Sequence, residues 1–244
     1  MRRRIIACLL AALLSLPSTG LAGTTEKESL PEWWRAAEAT PGMELKIRET
    51  ARNDKIPAFR GKKSITAAFS ASGFPKDKRF ELWGSWLDQR AAKFLNIVVD
   101  QDGILRMINP KNGVIGPELS AINLVLGSFA KGEPATFALV SIDREAKAFA
   151  RIVPFPLEAR DGACRLWLEL MSPQGTAFLV QGEGFEPGEE VKSLSRSDGE
   201  RLTGRETISP EGTYGPVVVF PAAVSRKHKA SYSVSGGTCS VKVE

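Results

Sequence analysis

The chain has 244 residues, of which 43% are hydrophobic and 25% are charged, and its formal net charge is +5. These values are typical of a soluble globular protein with one large domain or two ordinary ones, and they exclude a disordered chain, a collagen-like chain and a polytopic membrane protein. Three cysteines exclude a disulfide-dense miniprotein, and a single histidine argues against histidine-rich catalysis and most zinc sites.

Residues 1–22 have the pattern of a cleaved secretion signal. Three arginines precede an apolar run from Ile5 to Leu16, and the small residues Gly20 and Ala22 fit a cleavage site. The run is too short to anchor the chain across a bilayer core of about 30 Å, and no later stretch could cross it. We therefore predict an exported protein, periplasmic or extracellular. Cleavage lowers the net charge by the three arginines, from +5 to +2, which does not indicate nucleic-acid binding.

Residues 23–43 form an N-terminal segment with a predicted short helix. Ser29-Leu30-Pro31-Glu32 fits a capping box with proline in the first turn, and the helix should end before Pro41-Gly42. The helix would carry two adjacent tryptophans, Trp33 and Trp34.

From residue 44 onward, short runs rich in Val, Ile, Phe, Leu and Thr alternate with Gly, Pro, Asp and Asn clusters. This texture is typical of an all-β sandwich or barrel. The predicted strands are 44–49, 65–71, 79–86, 94–99, 104–108, 122–128, 135–142, 148–153, 164–171, 176–181, 190–195, 213–220, 230–235 and 238–243. Residues 109–122 are predicted to form a longer loop.

An internal repeat divides the β-rich region. A strand followed by Gly73-Phe74 and a proline turn matches a strand followed by Gly184-Phe185 and a proline turn. The acidic-glycine turn at 99–104 matches the one at 208–213. Because these pairs lie roughly 110 residues apart, a typical sandwich size, we predict two modules, 44–158 and 163–244, joined by a short linker.

The second module resembles the bacterial immunoglobulin-like domains of exported and surface proteins. The resemblance is carried by GFEPGEEV at Gly184–Val191 and by PEGTY at Pro210–Tyr214, while the first module lacks the second glycine and the following glutamate at Phe74–Asp77. It implies two immunoglobulin-like β-sandwich modules in tandem. Such domains serve as spacers, adhesin segments, binding modules and enzyme appendages, so the resemblance supports the fold more than the function.

The mature chain would keep Cys164 and Cys239. Each begins an alternating apolar pattern in a predicted strand, so both sulfurs should face apolar interior. In an exported protein this pattern favours a disulfide that joins the first and last strands of the second module, with two free thiols as the alternative.

The residues do not indicate catalysis. His228 lies in a predicted turn among cations and is interpreted as a solvated loop residue, since no second histidine exists to form a metal site. No serine lies in a Gly-x-Ser-x-Gly elbow, and the 28 acidic residues do not single out a carboxylate pair. We therefore expect no catalytic residue, no metal and no cofactor.

The tryptophans are the candidate binding residues. Phe80, Leu82 and Trp86 should share one face of a strand and Trp83 the other, so one of the two tryptophans should be partly exposed. Exposed Trp33, Trp34 or Trp83 could stack on a sugar or fill a partner's pocket. The alternative, which we favour, is that the helix packs Trp33 or Trp34 on the first module and that Trp83 covers a sheet edge.

These observations predict an exported, non-enzymatic binding, adhesion or cell-envelope scaffold protein. Its partner would be another envelope or surface protein, or a glycan, and no nucleic acid is expected. Two alternatives remain: a carbohydrate-binding module that uses exposed tryptophans, and an exported hydrolase with a carboxylate pair.

Overall fold

The computed structural model describes residues 28–35, 38–53, 63–76, 78–87, 90–221 and 230–244. The predicted signal at 1–22 and His228 lie outside the described residues. Within them the chain is nearly all β, as predicted, and every paired strand is antiparallel. No helix in the described ranges is long and apolar enough to cross a membrane.

The first half begins with β1 (Glu28–Ser29) and a short helix, α1 (Glu32–Arg35). A short helix was predicted here, but it begins later than the capping pattern indicates, because Ser29 pairs with Arg90 in a strand instead of capping the helix. Nine strands follow in the described part of this half, with a 3-10 turn at Leu119–Ala121 before β8. They are β2 (Glu44–Asn53), β3 (Lys63–Ser72), β4 (Arg79–Ser85), β5 (Arg90–Val99), β6 (Leu105–Ile108), β7 (Ile115–Glu118), β8 (Asn123–Phe129), β9 (Ala135–Ser141) and β10 (Lys147–Ile152).

Eight strands are found among the described residues of the second half. They are β11 (Leu157–Asp161), β12 (Cys164–Leu170), β13 (Phe178–Glu183), β14 (Glu190–Ser197), β15 (Glu200–Thr207), β16 (Tyr214–Val219), β17 (Ser231–Ser235) and β18 (Ser240–Val243).

The two halves share one order of strand pairing. In the first half, β2-β3-β8 form one sheet, and β10-β9-β4-β5 form the centre of another, which β6 and β7 extend. In the second half, β12-β13-β16 and β18-β17-β14-β15 pair in the same orders, with β11 added beside β12. The internal repeat found in the sequence is therefore also a repeat of topology.

Each half buries its own hydrophobic cluster between its two sheets. The first cluster is rich in phenylalanine and includes Phe69, Phe80 and Phe137, each of which is almost fully buried. The second cluster is smaller and includes Phe185, Tyr214 and Tyr232. Each cluster contains side chains from both sheets of its half, because alternate residues of each strand point inward.

The repeated Gly-Phe turns have the same local geometry. Gly73 and Gly184 adopt φ of 79° and 80°, a region that favours glycine. A Cβ on Gly73 would lie 1.9 Å from the carbonyl oxygen of Gly42, and one on Gly184 would lie 2.1 Å from that of Ala163. Glycine is therefore required at each turn for two reasons. Its φ is positive, and the backbone just before β2 or β12 leaves no room for a side chain.

Four strands were not predicted from the sequence. The first is β1, which lies in the N-terminal segment for which only a short helix was predicted. Strand β7 and the 3-10 turn lie inside the predicted loop 109–122. Strand β11 occupies the predicted linker and pairs with β12 over its whole length, with Leu157 and Ala159 packed on the second cluster. Strand β15 forms a hairpin with β14 through Asp198 and Gly199, whose φ values of 47° and 87° suit a tight two-residue turn.

Two kinds of contact join the halves. The backbone carbonyl of Gly132 accepts from the Leu170 amide of β12 at 2.8 Å, while the Gly132 amide donates to the Phe155 carbonyl within the first half at 2.7 Å. On the same side of the molecule, the Arg151 guanidinium donates to both carboxylate oxygens of Glu169. Glu169 is only 9% exposed, whereas the Arg151 side chain is half exposed. The carboxylate is therefore shielded from solvent, and the bidentate pair joins β10 to β12.

The predicted disulfide between Cys164 and Cys239 is confirmed, with the two Cα atoms 6.4 Å apart. Cys164 begins β12 and Cys239 directly precedes β18, so the bond links the two sheets of the second half. It joins the ends of that half and lies beside its core, as the alternating patterns predict.

A buried pair of tyrosines crosses the second core, and their hydroxyl oxygens lie 2.6 Å apart. Burial raises the pKa of Tyr214 well above its ordinary value, and the hydrogen bond with Tyr232 raises it further. A raised pKa in the folded state means that the neutral hydroxyl stabilises the fold fully below about pH 10, the ordinary tyrosine pKa, and that this contribution is lost as pH rises above it.

We expect alkaline unfolding of the second half to accompany Tyr214 ionisation. Since the chain has only two tyrosines, Tyr232→Phe leaves Tyr214 as the sole source of tyrosinate absorbance. In that variant the absorbance should rise only together with loss of β-sheet circular dichroism, at a pH above the value near 10 seen in guanidinium. Ionisation near pH 10 with the β-sheet signal unchanged would contradict the burial argument.

Candidate functional site

The candidate site lies on the face of the large sheet that points away from the core. Strand β4 alternates as the sequence predicts: Phe80 and Leu82 enter the core, and Glu81 and Trp83 lie on the opposite face. Strand β4 pairs with β5 on one side and β9 on the other. The expectation that Trp83 covers a sheet edge is therefore wrong, because Trp83 lies on a central strand.

The N-terminal segment covers part of this outer face. Trp34 of α1 is 7% exposed and packs against Phe149 of β10, with ring centroids 5.9 Å apart. Ala138 and Val140 lie on the same outer face, opposite Trp83 and Glu81 in the register, and both are fully buried. The backbone of Thr40 also pairs with Lys147 at the edge of β10. The helix therefore packs on the first half, as favoured, and buries Trp34.

Trp33 and Trp83 are only half-buried, and Arg144 lies against both. Their ring centroids are 6.0 Å apart with an interplanar angle of 71°. The Arg144 guanidinium carbon lies 5.2 Å from the Trp33 ring and 5.8 Å from the Trp83 ring, within the range of cation–π attraction. Arg144 itself has φ of 67° in the turn between β9 and β10, an uncommon backbone angle for a residue with a side chain.

Glu81 fixes the positions of these groups. Its carboxylate accepts from the Trp83 indole nitrogen at 3.0 Å and from the Lys93 ammonium at 3.1 Å, and Arg144 Nη1 lies 2.7 Å from it. Burial alone would raise the pKa of Glu81, but its contacts with Arg144, Lys93 and Trp83 outweigh burial and lower the pKa. The Glu81 carboxylate therefore fixes the orientation of Trp83, Lys93 and Arg144.

We name Trp33, Trp83, Arg144, Glu81 and Lys93 the Trp–Arg cluster. It combines two half-buried aromatic rings with a guanidinium that lies against both of them, and aromatic residues and arginine are enriched in protein interfaces. The tryptophans were identified from the sequence, whereas Arg144 and Glu81 were missed. Only the pairing of β4 with β9 brings the turn at Arg144 beside Trp83, and no local pattern signals it.

Other charged groups form ion pairs on the surface. Asp143 accepts from Ser141 and Lys78, and these contacts lower its pKa to about 2. Asp100 accepts from Arg106 and two backbone amides, and its pKa is also lowered. Among the described residues, no group of three or more histidine, cysteine or acidic side chains is arranged to hold a metal ion.

Comparison with known proteins does not identify a family. No protein-family model matches the chain, and no curated protein matches it. A solved structure that matches is the tetra-tandem repeat in the extending region of a large adhesion protein, at 12% identity and a TM-score of 0.22. The match covers 82% of this chain and 47% of that one, so this chain spans about half of that structure's length.

Proposed function

We propose that this chain is an exported, non-enzymatic binding protein made of two immunoglobulin-like β-sandwich modules, 44–158 and 163–244. It contacts a protein of the cell envelope or surface through the Trp–Arg cluster. The observation that carries this proposal is the pair of half-buried tryptophans in edge-to-face contact, with the Arg144 guanidinium against both rings.

The topology supports immunoglobulin-like modules. In each half, three strands of one sheet and four strands of the other pack around one core. The chain passes from one sheet to the other and back within each half. Antiparallel sheets packed face to face with strands that cross between them are the architecture of the immunoglobulin fold. The disulfide between the sheets of the second half fits an oxidising compartment and therefore export.

The composition of the Trp–Arg cluster supports binding to a protein. Tryptophan and arginine are the residue types most enriched among those that dominate protein interfaces. Because Glu81 holds Trp83 and Arg144 in place before any partner arrives, little side-chain freedom remains to be lost on binding. Trp33 and Trp83 are partly exposed, so a partner can bury what solvent still reaches.

Two alternatives have weaker support. A carbohydrate-binding module would stack sugars on open ring faces, but Trp33 and Trp83 meet at 71° and Arg144 lies over both rings. A glycoside hydrolase needs a carboxylic acid with a raised pKa. The pKa values of Glu81, Asp100 and Asp143 are all lowered, so these three carboxyls are poor general acids.

The proposal predicts that Trp33→Ala combined with Trp83→Ala abolishes partner capture. The chain from residue 23 would be immobilised and exposed to envelope extract, and bound proteins and sugars would be quantified. Loss of two interface anchors should reduce the captured partner at least about tenfold. Trp167→Ala is the matched control, because Trp167 is also half-buried and has the Arg165 guanidinium 5.0 Å above its ring.

The outcomes separate the candidate functions. A protein lost from the double variant and retained by Trp167→Ala supports the proposal. Retention of the same protein by the double variant excludes the Trp–Arg cluster as the contact. Sugar without protein in the eluate, lost from the double variant, would favour the carbohydrate-binding alternative.

A further inference from the structure

The outward face of the sheet β15-β14-β17-β18 carries an unusual concentration of positive charge. Val191 of β14 is buried in the second core, so the alternate residues of this strand, among them Lys192 and Arg196, point outward. Their partners across the β14–β15 hairpin are Arg205 and Arg201, respectively. All four side chains are exposed.

These four residues form two like-charged pairs. Lys192 is directly opposite Arg205, and Arg196 is directly opposite Arg201. Like charges directly opposite one another in an antiparallel pair destabilise it. Arg205 has Glu190 as a counter-ion at 3.2 Å, but both side chains are well exposed and such a pair contributes little. Among the described residues, no carboxylate lies within ion-pair distance of Lys192, Arg196 or Arg201.

Hydroxyl groups lie between and beside the cations. Thr203 lies on β15 between Arg201 and Arg205, and the outward positions of β17 are Ser231, Ser233 and Ser235. A shallow groove of about 540 Å³ runs over this surface and is lined by Lys192, Arg201, Thr203, Arg205, Ser233 and Ser235. Charged and hydroxyl groups thus line one continuous groove.

We propose that this surface, which we name the cationic face, binds an acidic polysaccharide. The like-charged pairs, which oppose folding of the hairpin, become favourable when carboxylate or sulfate groups lie between them. The two pairs are four residues apart on β14 and so about 13 Å apart, a distance that suits a polymer with repeated acidic groups. The serine and threonine hydroxyls, which can donate and accept, hydrogen-bond to sugar hydroxyls.

Two other polyanions fit less well. Single-stranded nucleic acids are held by aromatic side chains on which bases stack, and the outward positions of β14, β15, β17 and β18 hold no aromatic residue. Surfaces that bind anionic lipid combine cations with large apolar residues that enter the bilayer. Among the outward positions of the cationic face, the large apolar side chain is Leu194. It is half-buried and therefore poorly placed to enter a bilayer. An acidic polysaccharide therefore matches this surface best.

The test is binding of dextran sulfate to the chain from residue 23, with neutral dextran as the uncharged probe. Lys192→Gln combined with Arg201→Gln removes one cation from each like-charged pair. Lys46→Gln combined with Arg48→Gln is the matched control, because it removes the same charge from exposed positions of β2 in the first half. Titration calorimetry at increasing sodium chloride would give the dissociation constant for each variant.

We expect the dissociation constant for dextran sulfate to rise at least about tenfold in the Lys192/Arg201 variant and less than about threefold in the control, because only close charges escape screening by salt. The Lys192/Arg201 variant should unfold at the same or a higher urea concentration than the natural chain, because a repulsion is relieved. Neutral dextran should not bind measurably.

Several results would overturn the proposal. They are no binding of dextran sulfate by the natural chain, an equal loss in the Lys46/Arg48 control, or a lower unfolding midpoint in the Lys192/Arg201 variant. Tighter binding to phosphatidylserine vesicles or to single-stranded DNA, lost in that variant, would assign the face to lipid or nucleic acid instead. Because Trp33→Ala with Trp83→Ala leaves the cationic face intact, it should bind dextran sulfate normally, so this test is independent of the Trp–Arg cluster.

Discussion

Replacing Cys164 and Cys239 by alanine is expected to lower the free energy of unfolding of the second half by about 4.5 kcal/mol. The bond joins residues 75 positions apart, and closing a loop of this length removes that much conformational freedom from the unfolded chain in the chain-entropy account. Total stabilities of single domains are typically about 5–15 kcal/mol. The second half would therefore lose a large part of its stability.

The second half depends on this bond because its core is small. The first cluster buries several phenylalanines, among them Phe69, Phe80 and Phe137. The second has Phe185 and a tyrosine pair whose hydroxyls must stay hydrogen-bonded. A small domain buries a smaller fraction of its surface, so a covalent link between its ends contributes a larger share of its stability.

Urea unfolding of the double alanine variant would measure this loss. Both tyrosines lie in the second half, so tyrosine absorbance in the second-derivative spectrum reports that half alone. The midpoint should fall strongly by this probe. It should fall much less by fluorescence of the tryptophans, four of which lie in the first half. A reductant should have no effect on the variant, and a loss below about 1 kcal/mol would contradict the entropic argument.

The features that the sequence predicted correctly are those set by local chemistry. The Gly-Phe turns were found because a positive φ requires glycine and the next position is a buried phenylalanine, so both requirements appear directly as residue types. The disulfide was found because an alternating apolar pattern follows each cysteine in a predicted strand. The short helix was predicted only in part, because Ser29 pairs with Arg90 in β1 instead of capping the helix, which begins at Glu32. In each case the physical cause and the signal lie within a few residues of each other.

The missed strands show where local reading failed. Strand β15 is exposed along most of its length, so it lacks the apolar alternation by which strands are recognised. Its signal was the Asp198-Gly199 pair, a typical two-residue hairpin turn. Strand β11 was taken for a linker because Pro154 and Pro156 precede it, although Leu157 and Ala159 alternate as in a strand.

The candidate sites depend on pairings that sequence spacing does not reveal. Trp83 and Arg144 meet because β9 lies beside β4, and the turn after β9 then reaches the outer face. The cationic face forms because β15 folds back on β14 in a register that places Arg205 opposite Lys192. A shift of one residue would send these side chains to the core face, so register, rather than composition, creates both surfaces.

Gly184→Ala is expected to destabilise the second half by more than about 3 kcal/mol, at the exceptional end of single substitutions. Two effects combine at this position. The φ of 80° disfavours any side chain, which costs about 1–2 kcal/mol. The added methyl group would also lie 2.1 Å from the Ala163 carbonyl oxygen, and this backbone atom can move only if β12 moves. Cys164 adjoins Ala163, so the displacement would reach the disulfide and the core beside it.

Gly188→Ala separates the two effects within the same turn. Gly188 has φ of 78°, and a Cβ there would meet no atom within 4 Å, so it should cost only the backbone term of about 1–2 kcal/mol. Urea unfolding followed by tyrosine absorbance would compare the two variants with the natural chain. An equal loss of unfolding free energy in the two variants would show that β12 moves aside at no cost and that the close approach at Gly184 does not affect stability. A clearly larger loss for Gly184→Ala means that the turn fixes the position of β12. Gly73→Ala should then destabilise the first half in the same way, because its Cβ would lie 1.9 Å from the Gly42 carbonyl oxygen.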